Sequence, residues 1–583
     1  MFKRLGTAIL AVLIVLTGLT LSQPAHSATV SLKEGTDKAA VLFDPLNFSK
    51  VEITKMTGGP DLTYDYLNSD TYRPANIKIT VPGKAAITVK NVGLRLKGQA
   101  SRGDSKFPMK IKFDAFVKGQ KFLGLKRMTL NNMIQDPSFI HEATAYKLYR
   151  AVGVPAPRTG YSRVFVQGTY FGLYLNIESI DKVFGKRWFP STKHVYSGPY
   201  NCDIVPNNTC YEAGVGDTTR TDLNNAGSLD SLSGAEWWSG LGRLSNRPAI
   251  IKLMATDVFM SNWDGYTDAV KNNHFVHFDK SGKFSIIPWG LDQTFTNDSS
   301  ADLTWDGSQP IYRGWSDRRS TIWEHCLAYP ICHAELVKAG ILVRNTATRI
   351  DLAGYMTRIA AKVNLVVSGE ADFHQTDIAT LQNVQSWIPT FLSNRKDALS
   401  NYLVSSSPRS INVTLPNSVK VNAKVTAAIQ SIWEPGVSAT YQWYVDGSPI
   451  VGATSKTYAP ILSQANSQLT LTVTLSKNSV APTVITTEPK TITALTINKF
   501  ATPTISGTAR VGKTLTAKPG TWLTGVTKIL QWYADSTPID GATNTTYVIQ
   551  QIDIGKRISL RITGTKLGYT SLTKSSTKTS VVR

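Results

Sequence analysis

Two carboxylates, a pair of amides and one lysine-bearing strand are the residues of this chain whose types and spacing fit a chemical task. "SNWDGYTDAVKNNHFVHFD" (261–279) sets Asp264 behind a helix-like run, then Asn272 and Asn273, then an aromatic alternating strand. "KFSIIPWGLDQTF" (283–295) ends an apolar run at Pro288 and places Asp292 just behind it. "LRLKGQASRGDSKFPMKIKFD" (94–114) reads as strand, Gly/Ser loop, strand. In its second strand Met109, Ile111 and Phe113 point one way, and Lys110 and Lys112 the other. Phosphoryl transfer uses such a set. One carboxylate orients the incoming hydroxyl, an amide and a second carboxylate hold Mg²⁺ on the phosphates, and a lysine meets the phosphate charge. The plain alternative is a handful of turn residues and solvated edge lysines. The order Asp, Asn, Asp is that of protein kinases. Their His-Arg-Asp and Asp-Phe-Gly motifs and six-residue Gly loop are absent.

The elements that must position these residues fall into two parts. Up to about residue 180 the chain is strand-rich, as in "NIKITVPG", "VGLRLKG", "FPMKIKFD" and "RVFVQGTYFGLYLNIE"; the last is a hairpin signal around Gln167-Gly168. One helix interrupts it, over 137–153, opening at Pro137 and closing at Gly153. From about 181 to 403 helical patterns dominate, such as "RPAIIKLMATDVFMSNWD". A strand-rich lobe followed by a helical lobe gives a two-lobed α+β layout over 40–403, with the ligand expected between the lobes. His141 beside Glu142 lacks the second His of a zinc helix and reads as a helix-surface pair. Asp268 is the rival to Asp264 as base.

The last third of the chain repeats. "QWYVDGSPIVGATSKTY" starts at Gln442 and "QWYADSTPIDGATNTTY" at Gln531, 89 residues apart. Short alternating strands with Gly, Pro and Asp turns around a central Trp predict two all-β immunoglobulin-like sandwiches, 405–495 and 499–583. Trp443 and Trp532 are their expected core anchors. Net charge is +22 for the chain. Residues 405–583 hold 18 Lys and Arg against 6 Asp and Glu, a net +12. That excess suits an anionic cell-envelope polymer. Residues 1–27 read as an export signal: Lys3 and Arg4, an apolar run over 5–21, and small residues at Ala25 and Ser27. No later apolar run has spanning length, so a secreted or surface location is expected, with no transmembrane segment after cleavage and no nucleic-acid partner. In an oxidising compartment the four cysteines pair locally, Cys202–Cys210 and Cys326–Cys332. A zinc site at His325-Cys326 and Cys332-His333 is the alternative, though its spacing matches no common zinc pattern.

The three chemical segments, with "MTLNNMIQDPSFIHEATAYKLYRAVGVPAPRTGYSRVFVQGTYFGLYLNIESID", resemble the spore coat protein H (CotH) kinase family of atypical protein kinases, from about residue 41 to about 403. The C-terminal repeats resemble bacterial surface immunoglobulin-like modules. The resemblance implies a two-lobed protein-kinase-like fold, ATP with Mg²⁺ or Mn²⁺, and phosphorylation of Ser or Thr on a protein substrate. Residue by residue, it makes Asp264 the catalytic Asp and Asn273 and Asp292 the metal ligands. Lys110, ahead of Lys106, meets the phosphates. Glu178 lies near the nucleotide or braces that lysine. Many family members read Trp-Asp-x-Asp where this chain has Trp289-Gly290-Leu291-Asp292, so glycine stands in place of the first acid. The opposing reading is a non-catalytic, pseudokinase-like surface protein that binds a ligand without transfer.

Overall fold

The computed structural model describes residues 34–35, 37–98, 101–102, 106–295, 304–306, 318–369 and 378–583. The export-signal segment and most of the Gly/Ser loop, 99–100 and 103–105, lie outside the described residues. The chain divides into two compact units: the first comprises residues up to 325 with 339–397, the second 326–338 with 398–583.

In the first unit, seven strands close into a barrel. They are β1 (Ser49–Lys55), β2 (Arg73–Thr80), β3 (Ile87–Leu96), β4 (Met109–Lys112), β5 (Arg127–Asn131), β6 (Thr159–Val166) and β7 (Thr169–Ile177). The order around the barrel is β1-β2-β3-β4-β5-β7-β6. Closure comes from a parallel seam, with Val51 opposite Val164 and Ile53 opposite Val166. The period-two pattern fills the interior: Val51 and Ile53 of β1, Ala75, Ile77 and Ile79 of β2, and Met109 and Ile111 of β4 are all buried in one core. Lys110 and Lys112 therefore face out of the barrel, opposite Thr129 and Arg127 of β5. At the β6–β7 turn, Gln167 and Gly168 both take left-handed backbone, at φ 51° and 90°.

Beyond the barrel, β8 (His194–Gly198), β9 (Glu212–Val215), β10 (His274–Phe278) and β11 (Phe284–Pro288) form a sheet of order β11-β10-β8-β9. Two buried helices support the site. His141–Val152 ends at Gly153, whose φ of 86° lets its N–H reach back to Arg150 and Tyr149 carbonyls. Arg247–Met260 starts with Pro at its first turn and is buried nearly all round. Among the described residues no single helix is long and apolar enough to cross a membrane.

This architecture corrects the expected fold class. The strand-rich part is not the small lobe of a two-lobed protein-kinase-like domain: its first strand pairs with its sixth and seals a barrel. The four-stranded sheet and helices that follow belong to the same compact unit. In the second unit the strands gather into several sheets of two to six strands rather than the expected pair of immunoglobulin-like sandwiches. Two cores organise them. Trp443 is fully buried with Leu469, Leu471 and Val473, and Trp532 with Leu560 and Ile562. The repeat shows in the hydrogen bonds. The Trp443 indole donates to the Ser455 carbonyl at 2.8 Å and the Trp532 indole to that of Asn544 at 2.9 Å. Gln442 and Gln531 each donate to the following Trp carbonyl. Both cysteine pairs, Cys202–Cys210 and Cys326–Cys332, form disulfides, so the zinc alternative falls away.

Candidate functional site

The outer face of β3, β4 and β5 looks across at the ends of β8 and β10. Between them lie two adjoining cavities of about 270 Å³ each, which share Lys110, Ser197, Glu212, Phe275 and Trp289. The first is lined by Tyr72, Ile111, Met128 and Ile180 and carries Arg95 and Arg127. The second is polar: Asp264, Asn272, Asn273 and Asp292 on one side, Lys97 and Lys110 on the other.

Asp264 sits in the connection between helix Arg247–Met260 and β10. Several residues here hold left-handed backbone: Ser261 (φ 55°), Lys271 (φ 44°) and Asn273 (φ 47°). Such conformations persist where surroundings enforce them and cluster at functional sites. The Asn272 amide donates to one Asp264 oxygen at 3.0 Å, and the Asn273 amide to the other at 2.7 Å. Burial raises the Asp264 carboxyl from 3.8 to about 7, the charge of Asp292 adds to this, and the two amides oppose it.

Asp292 lies in the short 3₁₀ turn Leu291–Gln293 right after β11. Pro288 pairs with His274 at the end of the sheet, and the Trp289 N–H donates to the Asn273 carbonyl, so the chain leaves β11 beside the amide pair. Burial pushes the Asp292 carboxyl up, while Lys97 and the backbone N–H groups of Asp292 and Gln293 pull it down. Gly290 takes φ 54°, and a Cβ there would lie 2.7 Å from the Asn273 side chain. The glycine that departs from the family pattern thus leaves room for the Asn273 amide.

The Lys110 side chain makes no hydrogen bond or ion pair among the described residues. Burial lowers its pKa from 10.5 to about 8, helped by the charges of Arg95, Lys97 and Arg127. Asp70, paired with Arg95 at 2.7 Å, opposes that shift. Lys97 was missed in the sequence because it ends a strand inside a Gly-rich loop. Its ammonium lies 5.5 Å from the Trp289 ring centre.

The other expected site residues fall elsewhere. Lys106 is buried with its ammonium 4.6 Å from the Phe139 ring and lines neither cavity. Glu178 does not brace Lys110. Its carboxylate accepts from buried Arg158 at 2.9 Å and pairs with half-buried Arg187, so it is spent on two guanidiniums, and its neighbours Ser179 and Ile180, not Glu178 itself, line the first cavity. Asp268 is held by Arg319 at 3.0 Å. His141 and Glu142 are not a surface pair; both are buried. Glu142 accepts from Asn131 at 2.6 Å, and burial with the charge of Asp292 pushes its carboxyl up. Only the helix's burial on every side could have flagged it, and its sequence pattern does not show that.

The donor set fits a hard divalent cation. Two carboxylates and an amide converge, all offering oxygen. Among the described residues no cluster of three or more His, Cys, Asp or Glu forms a full cage. Mg²⁺ suits such a partial set, because it keeps waters and takes substrate phosphates as further ligands.

Residues 94–399 match the CotH kinase protein family, more than half of the chain, and the chain belongs to that family. It is 23% identical over 198 residues to the inner spore coat protein H of Bacillus subtilis (strain 168), covering 32% of this chain and 54% of that protein. It is also 32% identical over 164 residues to the highly immunogenic outer capsid protein of enterobacteria phage T4, covering 26% and 42%. The chain thus spans about half the length of these relatives. Among solved structures it is similar to three N-terminal domains of the bacteriophage RB49 highly immunogenic outer capsid protein, at 17% identity and TM-score 0.13 over 29% of this chain and 59% of that one.

Proposed function

We propose that the chain is an exported CotH-type kinase that moves the γ-phosphate of ATP to a Ser or Thr hydroxyl of a surface or secreted protein. One observation carries this reading: two acids and two amides line one polar cavity together with Lys97 and Lys110. Asp264 orients the acceptor hydroxyl and takes its proton as the oxygen bonds to the γ-phosphorus. The bond from that phosphorus to the β–γ bridging oxygen breaks, and ADP leaves. Lys110 and Lys97 neutralise phosphate charge, and Asn273 and Asp292 would hold the divalent ion. When bound, that ion supplies charge stabilisation across the phosphates. The neighbouring cavity, where the rings of Tyr72, Phe275 and Trp289 join Arg95 and Arg127, suits the nucleoside.

The relatives named for a spore coat and an outer capsid support a surface location, in keeping with the leader-like residues 1–27. The basic second unit would tether the enzyme to an anionic envelope polymer. A pseudokinase-like binding protein is the second reading, favoured by Gly290 where the family pattern has an acid. Mg·ATP-dependent melting followed by γ-phosphate transfer to casein or to the chain itself separates the two. Binding with transfer supports the kinase, and binding without transfer supports the second reading.

A further inference from the structure

The connection between β8 and β9, residues 199–211, is closed on itself by the Cys202–Cys210 disulfide. It is tied repeatedly to the segment that carries Asp264, Asn272 and Asn273. The Asn201 N–H donates to the Val270 carbonyl at 3.0 Å and the Cys202 N–H to that of Lys271 at 3.3 Å. The Tyr266 hydroxyl, two residues past Asp264, donates to Asp203 at 2.9 Å. At the far end, the Tyr211 hydroxyl and the His274 ring share a hydrogen bond of 2.9 Å. The Tyr200 side chain bonds that of Asn272. Tyr200 and Glu212, on either side of the bridge, both line the polar cavity. The loop is therefore the outer wall against which the acid–amide segment is set, and that segment's left-handed residues need such support.

We propose that the Cys202–Cys210 disulfide is a positioning latch: by closing the 199–211 loop it holds Asp264, Asn272 and Asn273 in the geometry the site requires. The inference rests on the kinase reading for its effect on rate, but not for its effect on structure. Lys97 and Lys110 come from the barrel and Asp292 from the turn after β11, so of the groups proposed to hold Mg·ATP only Asn273 lies in the latched segment, and transfer, which needs Asp264, depends on the latch more than binding does.

The two disulfides differ in access. Cys210 is half-exposed, whereas Cys326 and Cys332 are both 0% exposed. A mild dithiol should therefore open the first bond alone. Its thiolate attacks Cys210 sulfur, Cys202 leaves as thiolate, and the second thiol closes the reagent's own disulfide and frees Cys210; two electrons pass from reagent to protein. The experiment uses the full chain, selectively reduced and checked by mass spectrometry, beside the Cys202→Ala/Cys210→Ala variant. The Cys326→Ala/Cys332→Ala variant is the control.

Hydrogen exchange is the first readout. Amides of 264–274 should exchange at least about tenfold faster once the bond is cut, while those of helix His141–Val152 stay within about twofold. Steady-state transfer is the second. With the first bond cut, kcat should fall at least about tenfold while KM for Mg·ATP stays within about threefold, because small misplacement of reacting groups costs rate before affinity. The control variant should keep its kcat. Unchanged exchange over 264–274 after verified cleavage overturns the latch, as does faster exchange with undiminished transfer. A wild type that exchanges as expected but transfers no phosphate counts against the kinase reading and leaves the latch standing on the exchange result.

Discussion

Replacing Lys110 by methionine should make the nucleotide-free protein more stable while removing its response to nucleotide. The ammonium is largely buried among Arg95, Lys97 and Arg127, and its pKa falls from 10.5 to about 8. At about 1.4 kcal/mol per unit, keeping it charged at pH 7 costs the fold up to about 3 kcal/mol relative to the unfolded chain. The folded pKa lies below the unfolded one. The penalty is therefore complete below pH 8 and fades as pH rises from 8 to 10.5. Methionine keeps the apolar stem and drops the charge. Lys110→Met should accordingly melt higher than wild type at pH 7, and the gap should close towards pH 10.5. Saturating Mg·ATP at 100 times its dissociation constant should stabilise wild type by about 2.7 kcal/mol and the variant far less. Differential scanning fluorimetry over pH, with and without Mg·ATP, reads both effects. A variant that melts lower than wild type at pH 7, or that keeps the full nucleotide shift, refutes the reasoning: Lys110 would then have an anionic partner in the protein or no role with phosphate.

Three further outcomes are expected. Gly290→Ala should cost roughly 1–3 kcal/mol of backbone strain and displace the Asn273 amide, lowering transfer in a protein that circular dichroism shows to be folded. Glu178→Gln should lower the melting temperature sharply, since removing one partner of a buried charge cluster costs about 3–5 kcal/mol, yet leave KM for Mg·ATP unchanged. Retention of the full chain on an anionic wall polymer should fall as salt shortens the Debye length from about 10 Å at 0.1 M to about 3 Å at 1 M.

Local features were legible in the sequence and closure was not. The Gln167-Gly168 turn and the Lys110 and Lys112 alternation follow from backbone chemistry within a few residues, so each could be read directly. The barrel depends on β1 meeting β6 in parallel, a pairing between distant residues that no local pattern encodes. A strand-rich stretch followed by helices therefore looked like two lobes. Asp264 and Asn273 could be picked out together because one follows a helix and the other immediately precedes a strand, and Asp292 because it follows an apolar strand stopped by proline. Glu178 ends a strand too, but its partners Arg158 and Arg187 come from other elements, so its true engagement was hidden. Glu142 was hidden for the opposite reason: a charged residue in the first turn of a helix ordinarily faces water, and here it faces Asn131.

The measurement that bears most directly on the account is γ-phosphate transfer from radiolabelled Mg·ATP by the wild type and by Asp292→Asn, with both proteins verified as folded. Loss of the carboxylate removes the charge that would hold the divalent ion at the cavity, while the backbone turn of Leu291–Gln293 is untouched. Wild type should transfer measurably, and the variant's rate should fall by about a hundredfold or more. Transfer by folded Asp292→Asn at the wild-type rate would contradict the account.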